Sequence, residues 1–287
     1  MLFLKAPAKI NWFLQVLGKR EDNYHDIRSV MQCISLYDAL IFERADSVDV
    51  ACDLDVPLHE NIVYRAASLL KKRVSYRKGA RVSLKKNIPV GAGLGGGSSD
   101  AAYALLGLNM LWEIGLSSEE LGSISAEIGS DVPFFLRGPF ALVEGKGERV
   151  KPLEIISSAV LLLVKPRISI STSWAYSALD LLDKQELTKK PVDIKLFCQA
   201  LNKRDFASLG NMFCNDFEDV VMRKYPAIRE LKHRLCELGA ATSAMSGSGS
   251  TVFGVFCSKN EAEKAALRMK PNFCRVVETI TTVGSKQ

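Results

Sequence analysis

Between Pro89 and Ala102 the chain reads Pro-Val-Gly-Ala-Gly-Leu-Gly-Gly-Gly-Ser-Ser-Asp-Ala-Ala, with Gly91, Gly93, Gly95, Gly96 and Gly97 inside seven residues. Lacking Cβ atoms, this backbone can take positive φ and lie close against a ligand. Beyond Ser98, Ala101, Ala102, Ala104, Leu105, Leu108, Leu111 and Trp112 recur at the three- and four-residue spacing of a helix with one buried face. A glycine loop opening onto a helix N-terminus offers unpaired N–H groups and the positive end of the helix dipole to an anion. The expected guest is a triphosphate lying along Pro89, Val90, Gly91, Ala92, Gly93, Leu94, Gly95, Gly96, Gly97, Ser98 and Ser99. The two serines add hydroxyl donors, or an oxygen for a phosphate-bound Mg²⁺.

Three familiar phosphate sites can be set against this loop. A Walker A loop needs Lys and then Ser or Thr after its last glycine, whereas Gly97 is followed directly by Ser98. Gly91-Ala92-Gly93-Leu94-Gly95-Gly96 satisfies the dinucleotide pattern G-x-G-x-x-G. However, Pro89 interrupts the approach, and Gly115 to Gly129 reads as a second helix where a strand ending in an acid is required. No His-Arg-Asp or Asp-Phe-Gly follows, so a protein kinase is excluded.

Other residues could supply a base, a cation and a grip on an acceptor. Asp131, in Gly129-Ser130-Asp131-Val132-Pro133-Phe134-Phe135, sits where a helix cap is expected. An acid in so apolar a setting, downstream of a phosphate loop, is also where a base for an alcohol would be useful; both readings stand. Lys9 and Asn11 alternate with Ile10, Trp12, Leu14 and Val16, which places them on one strand face with Phe13, as a solvated face or the wall of a site. His25, in the turn Asn23-Tyr24-His25-Asp26, is a ligand contact or a satisfied loop histidine. Tyr176, in a polar loop from Ile168, is a stacking platform or a core aromatic. Ser246-Gly247-Ser248-Gly249-Ser250-Thr251 is a second small-residue loop, and one in each half suggests two jaws on one ligand. The basic run from Lys71 to Lys86 reads as a solvated face, with Lys86 near enough to Pro89 to reach a nucleotide.

These residues need strands and helices to hold them. Leu2 to Val16 reads as two strand segments around Pro7, and further strands are expected at Ile27 to Leu36, Ala39 to Glu43, Ser47 to Cys52, Arg81 to Leu84 and Pro139 to Glu144. A helix from Asn61 to Arg73 has basic residues at its negative end, and Ser117-Ser118-Glu119-Glu120 has capping-box spacing for a helix ending at Gly129. Lys151 to Ser158 reads as a domain crossing. Beyond it, strands at Ala159 to Pro166, Val252 to Phe256 and Arg275 to Thr281 alternate with helices near Asp193 to Leu201, Phe206 to Asn211, Ala227 to Leu238 and Lys259 to Met269.

Length and composition bound the rest. A chain of 287 residues with 47% hydrophobic and 24% charged residues is of soluble globular type and long enough for two domains. The longest aliphatic run, Ala159 to Val164, suits a buried strand and not a membrane span, and no secretory signal is apparent. Seven scattered cysteines without a C-x-x-C pair indicate reduced thiols in a cytoplasmic protein with no structural zinc. The net charge of +6 favours anionic partners, without any nucleic-acid-binding signature.

Taken together, Lys5-Ala6-Pro7-Ala8-Lys9-Ile10-Asn11, Pro89 to Ala102 and Ser246 to Thr251 resemble the three motifs of the GHMP small-molecule kinase superfamily. Ala8 to Leu14, Tyr24-His25-Asp26 and Gly129 to Phe134 are similar to the branch that phosphorylates the 2-hydroxyl of a diphosphocytidyl methylerythritol for isoprenoid precursors. The resemblance implies an α+β fold of two domains, residues 1–154 and 155–287. The first would be a ribosomal protein S5 domain 2-like domain and the second a GHMP-type α/β sandwich, with the active site in the cleft between them. It further implies ATP along Pro89 to Ser99 with Asn61 and Lys86 near its base, Mg²⁺, Asp131 as general base and Lys9 as its partner. Asn11, Tyr24, His25 and Tyr176 match positions that hold the cytidine and methylerythritol parts. The expected protein is a monomer or homodimer acting on a small molecule, away from nucleic acid and membrane. Asn23 stands where the family has Gly before Tyr-His, and Asn tolerates the left-handed conformation such a turn needs. A mevalonate- or homoserine-type member would keep the glycine loop but lack the Tyr24-His25 and Tyr176 elements. A nucleotide-binding protein without catalysis would tolerate loss of Asp131.

Overall fold

The computed structural model of the chain describes residues 1–54, 56–182, 191–269 and 273–281. Two long strands begin it, β1 (Leu2–Lys19) and β2 (His25–Ala45), paired antiparallel. The segments expected on either side of Pro7 are one strand with a register shift between Pro7 and Ala8, and the two expected between Ile27 and Glu43 merge into β2. β1 is buried without interruption from Ala6 to Val16, so both its faces are covered. β3 (Val48–Cys52), β4 (Gly79–Lys85), β5 (Phe140–Gly145) and β6 (Arg149–Pro152) complete the first sheet in the order β3-β4-β2-β5-β6, with β1 also on β2. Within this sheet β3 and β4 pair in parallel and the other described strand pairs are antiparallel.

Four helices cover this sheet: α1 (Ile62–Arg73), α2 (Gly96–Leu111), α3 (Ser118–Ile128) and α4 (Val132–Arg137). Ser117 and Glu120 form the expected capping box of α3. The run of alanines in α2 has a packing reason, because small residues let the helix lie close on β2. A Cβ on Gly107 would fall 2.4 Å from the Phe42 ring.

The second sheet is antiparallel throughout, in the order β10-β7-β9-β8: β7 (Val160–Lys165), β8 (Thr242–Met245), β9 (Val252–Phe256) and β10 (Phe273–Glu278). Around it lie α5 (Thr172–Leu179), α6 (Ile194–Asn202), α7 (Phe206–Gly210), α8 (Phe217–Lys224), α9 (Pro226–Glu237) and α10 (Lys259–Leu267). The loop expected from Ile168 to Tyr176 in fact becomes α5, started by the Ser171 side chain accepting from the Trp174 N–H. α8 and β8 have no counterpart in the sequence reading; at eight and four residues they are shorter than the window over which a hydrophobic period is read.

A shared core joins the two sheets. Trp12 and Phe13 from β1 meet Phe197 of α6 and Phe253 of β9, with ring centroids 5.8–6.2 Å apart. All four rings are buried, a contribution of about 1.5–3 kcal/mol each from apolar burial. Backbone bonds continue the join: the Leu14 N–H donates to the Cys214 carbonyl at 2.8 Å, and the Ile280 N–H to the Cys33 carbonyl at 2.8 Å.

Candidate functional site

The glycine loop runs from β4 to α2 and takes left-handed φ values at Gly91 (+61°), Gly93 (+75°) and Gly95 (+68°). It lies on β1: the Lys9 N–H donates to the Leu94 carbonyl at 2.9 Å, and a Cβ on Gly95 would fall 2.9 Å from the Lys9 stem. Gly95 precedes α2 without any side-chain cap, so the helix's first N–H groups remain available to a ligand. The second small-residue loop touches the first directly. Ser246 Oγ donates to the Gly93 carbonyl at 2.9 Å and the Thr251 N–H to the Ala92 carbonyl at 3.2 Å. A Cβ on Gly93 would lie 2.1 Å from the Ser246 carbonyl oxygen, which explains this glycine by backbone approach.

Two cavities flank the loop. The one of about 410 Å³ is lined by Leu54, Val56, Asn61, Lys86 and the loop from Pro89 through Ala92 and from Leu94 to Ser98. The one of about 680 Å³ is lined by Lys9, Asn11, Tyr24, His25, Asp131, Tyr176, Gly93, Ser98 and Gly247. Ser98 borders both. Ser99 borders neither: it is fully buried, its hydroxyl without a hydrogen-bond partner.

At the smaller cavity, Asn61 caps α1 by accepting from the Val63 N–H at 2.9 Å. The Lys86 ammonium is held between two carboxylates, Asp38 and Asp100, the latter at 2.5 Å. Asp38 also accepts from the Asn87 and Ile88 N–H groups at 2.5 and 2.8 Å. One buried network therefore ties β2 to both ends of the glycine loop. Burial, reinforced by Asp38, pushes the Asp100 carboxyl up to about 7 against the pull of Lys86.

At the larger cavity, Asp131 occupies the cap position of α4 but makes no side-chain cap bond. Its carboxylate lies 3.5 Å from Lys9 Nζ, which donates to Asn11 Oδ1 at 2.6 Å. Asn11 Nδ2 in turn donates to Ser29 Oγ at 2.8 Å. Lys9 is almost wholly buried, and a buried ammonium needs such partners. Phe13 does not share this wall as the alternation implied. A register shift between Asn11 and Phe13 turns Phe13 into the core, and Leu14 takes the cavity face.

Asn23 takes φ +64°, the left-handed turn expected of it, and delivers Tyr24 to the mouth of this cavity half-exposed beneath the Lys146 ammonium, 4.7 Å from the ring centroid. His25 opens β2, where the sequence reading placed a turn. Its ring stacks on Tyr176 at 4.6 Å and 17°, and Nε2 lies 2.6 Å from Asp180 Oδ1. Burial and then the Asp131 charge push the Tyr176 phenol up to about 12. Asp180, Asp38 and Asp100 escaped the sequence reading. Asp180 would have been found by counting one helical turn from Tyr176, had α5 been expected.

Comparisons with known proteins accord with this geometry. Residues 61–139 match the GHMP kinases N-terminal domain and residues 197–275 the GHMP kinases C-terminal domain. A 4-diphosphocytidyl-2-C-methyl-D-erythritol kinase from Thermodesulfovibrio yellowstonii is 49% identical, covering 98% of each chain; one from Caldicellulosiruptor bescii is 41% identical, covering 98% of this chain and 99% of that one. A crystal structure of 4-(cytidine 5'-diphospho)-2C-methyl-D-erythritol kinase superposes with a TM-score of 0.85 at 32% identity, covering 97% of this chain and 99% of that one. Homoserine kinase from Cytophaga hutchinsonii, at 17% identity and a TM-score of 0.73, shares the fold alone. With identity of this order sustained along its full length, the chain belongs to the 4-diphosphocytidyl-2-C-methyl-D-erythritol kinases of the GHMP superfamily.

Proposed function

We propose that this kinase transfers the γ-phosphoryl group of ATP to the 2-hydroxyl of 4-diphosphocytidyl-2-C-methyl-D-erythritol, giving the 2-phosphate and ADP. The observation that carries the reading is Asp131, a carboxylate at a helix start that forgoes its cap and lies against the buried Lys9 in the cavity bordering the glycine loop. An alkyl alcohol is a poor nucleophile, so Asp131 accepts its proton as the oxygen bonds to the γ-phosphorus and the bond to the β-phosphate oxygen breaks. Lys9, 3.5 Å from the Asp131 carboxylate, neutralises charge on the transferring group. The N–H groups from Val90 to Ser98 hold the phosphates, the buried Ser99 N–H being taken by the Gly95 carbonyl at 2.9 Å, while Asn61 and Lys86 flank the base in the smaller, largely apolar cavity. Asn11, Tyr24, His25 and Tyr176 hold the acceptor and its cytidine.

Mg²⁺ is a hard cation that takes oxygen ligands and usually keeps phosphates and waters among them. Among the described residues no group of three acidic, histidine or cysteine side chains could hold a metal alone, which suits an ion held mainly by substrate phosphates. Ser98, bordering both cavities, is the side chain that would hold it, and the ion would screen the phosphate charge. A boundary at residue 154 is supported by the two sheets, which occupy Leu2–Pro152 and Val160–Glu278. A cytoplasmic location is supported by cysteines that are free among the described residues and by the absence there of any helix long and apolar enough to cross a membrane.

The test is ADP release with ATP and either the diphosphocytidyl alcohol or the unmodified sugar alcohol. Clear preference for the former is expected; equal rates, or none, would overturn the substrate assignment.

A further inference from the structure

Just before α8 the chain crosses back to β1 and stitches the two halves together with its polar groups. The Cys214 carbonyl accepts from the Leu14 N–H at 2.8 Å and the Asp216 N–H donates to the Leu14 carbonyl at 3.0 Å, so this segment lies parallel along β1. Asp216 Oδ2 also accepts from the Val16 N–H at 2.7 Å. Two residues on, Glu218 Oε1 accepts from the Met245 N–H at 2.8 Å, where β8 ends and the second small-residue loop begins. Between these anchors the buried Asn215 uses its whole amide. Oδ1 accepts from the Phe217 N–H at 3.0 Å, an Asx turn leading into α8, and Nδ2 donates to the Met245 and Gly247 carbonyls, each at 2.8 Å. An aspartate would make the same turn but has no hydrogen for either carbonyl. The two donated bonds therefore single out asparagine.

What Asn215 grips is the corner at which the two sides of the site meet. Ser246 Oγ donates to the Gly93 carbonyl at 2.9 Å and accepts from the Asn11 N–H at 3.3 Å. At Gly247, whose φ is +58°, a Cβ would fall 3.2 Å from the Gly93 carbonyl oxygen and 3.5 Å from Asn11 Oδ1. Gly93 belongs to the glycine loop, and Asn11 Oδ1 accepts from Lys9, the partner of Asp131. The phosphate side and the base side thus rest on one turn. Gly93 and Gly247 border the larger cavity and not the smaller one.

We propose that Asn215 is a positioning residue for phosphoryl transfer: by donating to the Met245 and Gly247 carbonyls it fixes the turn that sets Gly93 against Asn11 and Lys9, and with it the spacing of phosphate and base. The inference rests on the kinase reading of the larger cavity. Asn215 borders neither cavity, so it acts only through this turn.

The experiment compares wild type with three variants. Asn215→Asp keeps the Asx turn but loses both donors, and Asn215→Ala loses them without burying a charge. Asp216→Ala removes the bond to Val16 and leaves the loop's bonds in place. Below the melting transition of every variant, kcat, KM for the diphosphocytidyl alcohol, ATP affinity by calorimetry and hydrogen exchange of residues 246–251 by mass spectrometry are measured. Both Asn215 variants are expected to lose about 10²-fold in kcat, the scale of a 1 Å misplacement, with ATP affinity within about twofold. Both should also exchange faster through residues 246–251. Asp216→Ala is expected to melt lower and keep its kcat. Unchanged kcat or unchanged exchange in Asn215→Ala would overturn the proposal by leaving Asn215 a purely structural role. An equal fall in kcat in Asp216→Ala would overturn it by assigning the effect to docking of the segment on β1. Faster exchange in both Asn215 variants, with no transfer by wild type, would uphold the anchoring of the turn and count against the kinase reading alone.

Discussion

Asp131 and Lys9 divide one task by burial. Lys9 is almost fully enclosed and its ammonium reaches Asn11 and Asp131, whereas Asp131 keeps about a third of its side chain open to the cavity. The cation is thereby fixed and the carboxylate remains reachable by an incoming hydroxyl. Replacing Asp131 with Ala removes the proposed proton acceptor but no part of the glycine loop. Turnover should fall by roughly 10²–10⁴ or more, while ATP affinity measured by calorimetry stays within about twofold. A variant turning over at the wild-type rate would remove Asp131 from the chemistry. At this scale the sequence pointed to Lys9 and Asp131 as candidates but left the role of Asp131 open, because a cap and a base have the same local signature.

Among the elements, the glycine loop is held from beneath by charge. Asp38, Lys86 and Asp100 bind its two ends, and Asp100 is the fifth residue of α2. Its carboxyl has been raised to about 7 from an ordinary 3.8, so between those values the folded chain keeps a proton that the unfolded chain has lost. Stability must then fall as pH rises across that window. With Asp100→Asn this contribution disappears. In nucleotide-free protein, wild type should lose stability relative to Asp100→Asn between pH 5 and pH 8 by on the order of 2–3 kcal/mol, read from urea midpoints at each pH. Parallel pH profiles for the two proteins would show that Lys86 keeps Asp100 ionised throughout.

Over the whole molecule, the cleft exists because the two sheets share a core and cannot move apart without exposing it. Trp12 and Phe13 on the first sheet pack on Phe197 and Phe253 of the second half, while the two small-residue loops hydrogen-bond at the floor of the site. Phe197→Ala should lower stability by about 3–5 kcal/mol and lower the melting temperature of the protein as one calorimetric transition. Two separated transitions, with one unmoved, would mean that the halves fold independently of this contact.

The sequence by itself determined the glycine loop, the helix it opens onto, the turn at Asn23 and the order of most strands and helices. Each of these is encoded within a dozen neighbouring residues by missing Cβ atoms, hydrophobic period or cap chemistry. Tertiary structure alone decided that Asp131 turns from its helix to Lys9, that a register shift sends Phe13 to the core, and that Tyr176 rides on a helix whose next turn brings Asp180 to His25. Those outcomes depend on which partner lies across 100 or more residues of chain, as in the 155 residues separating His25 from Asp180, and no local pattern carries that information.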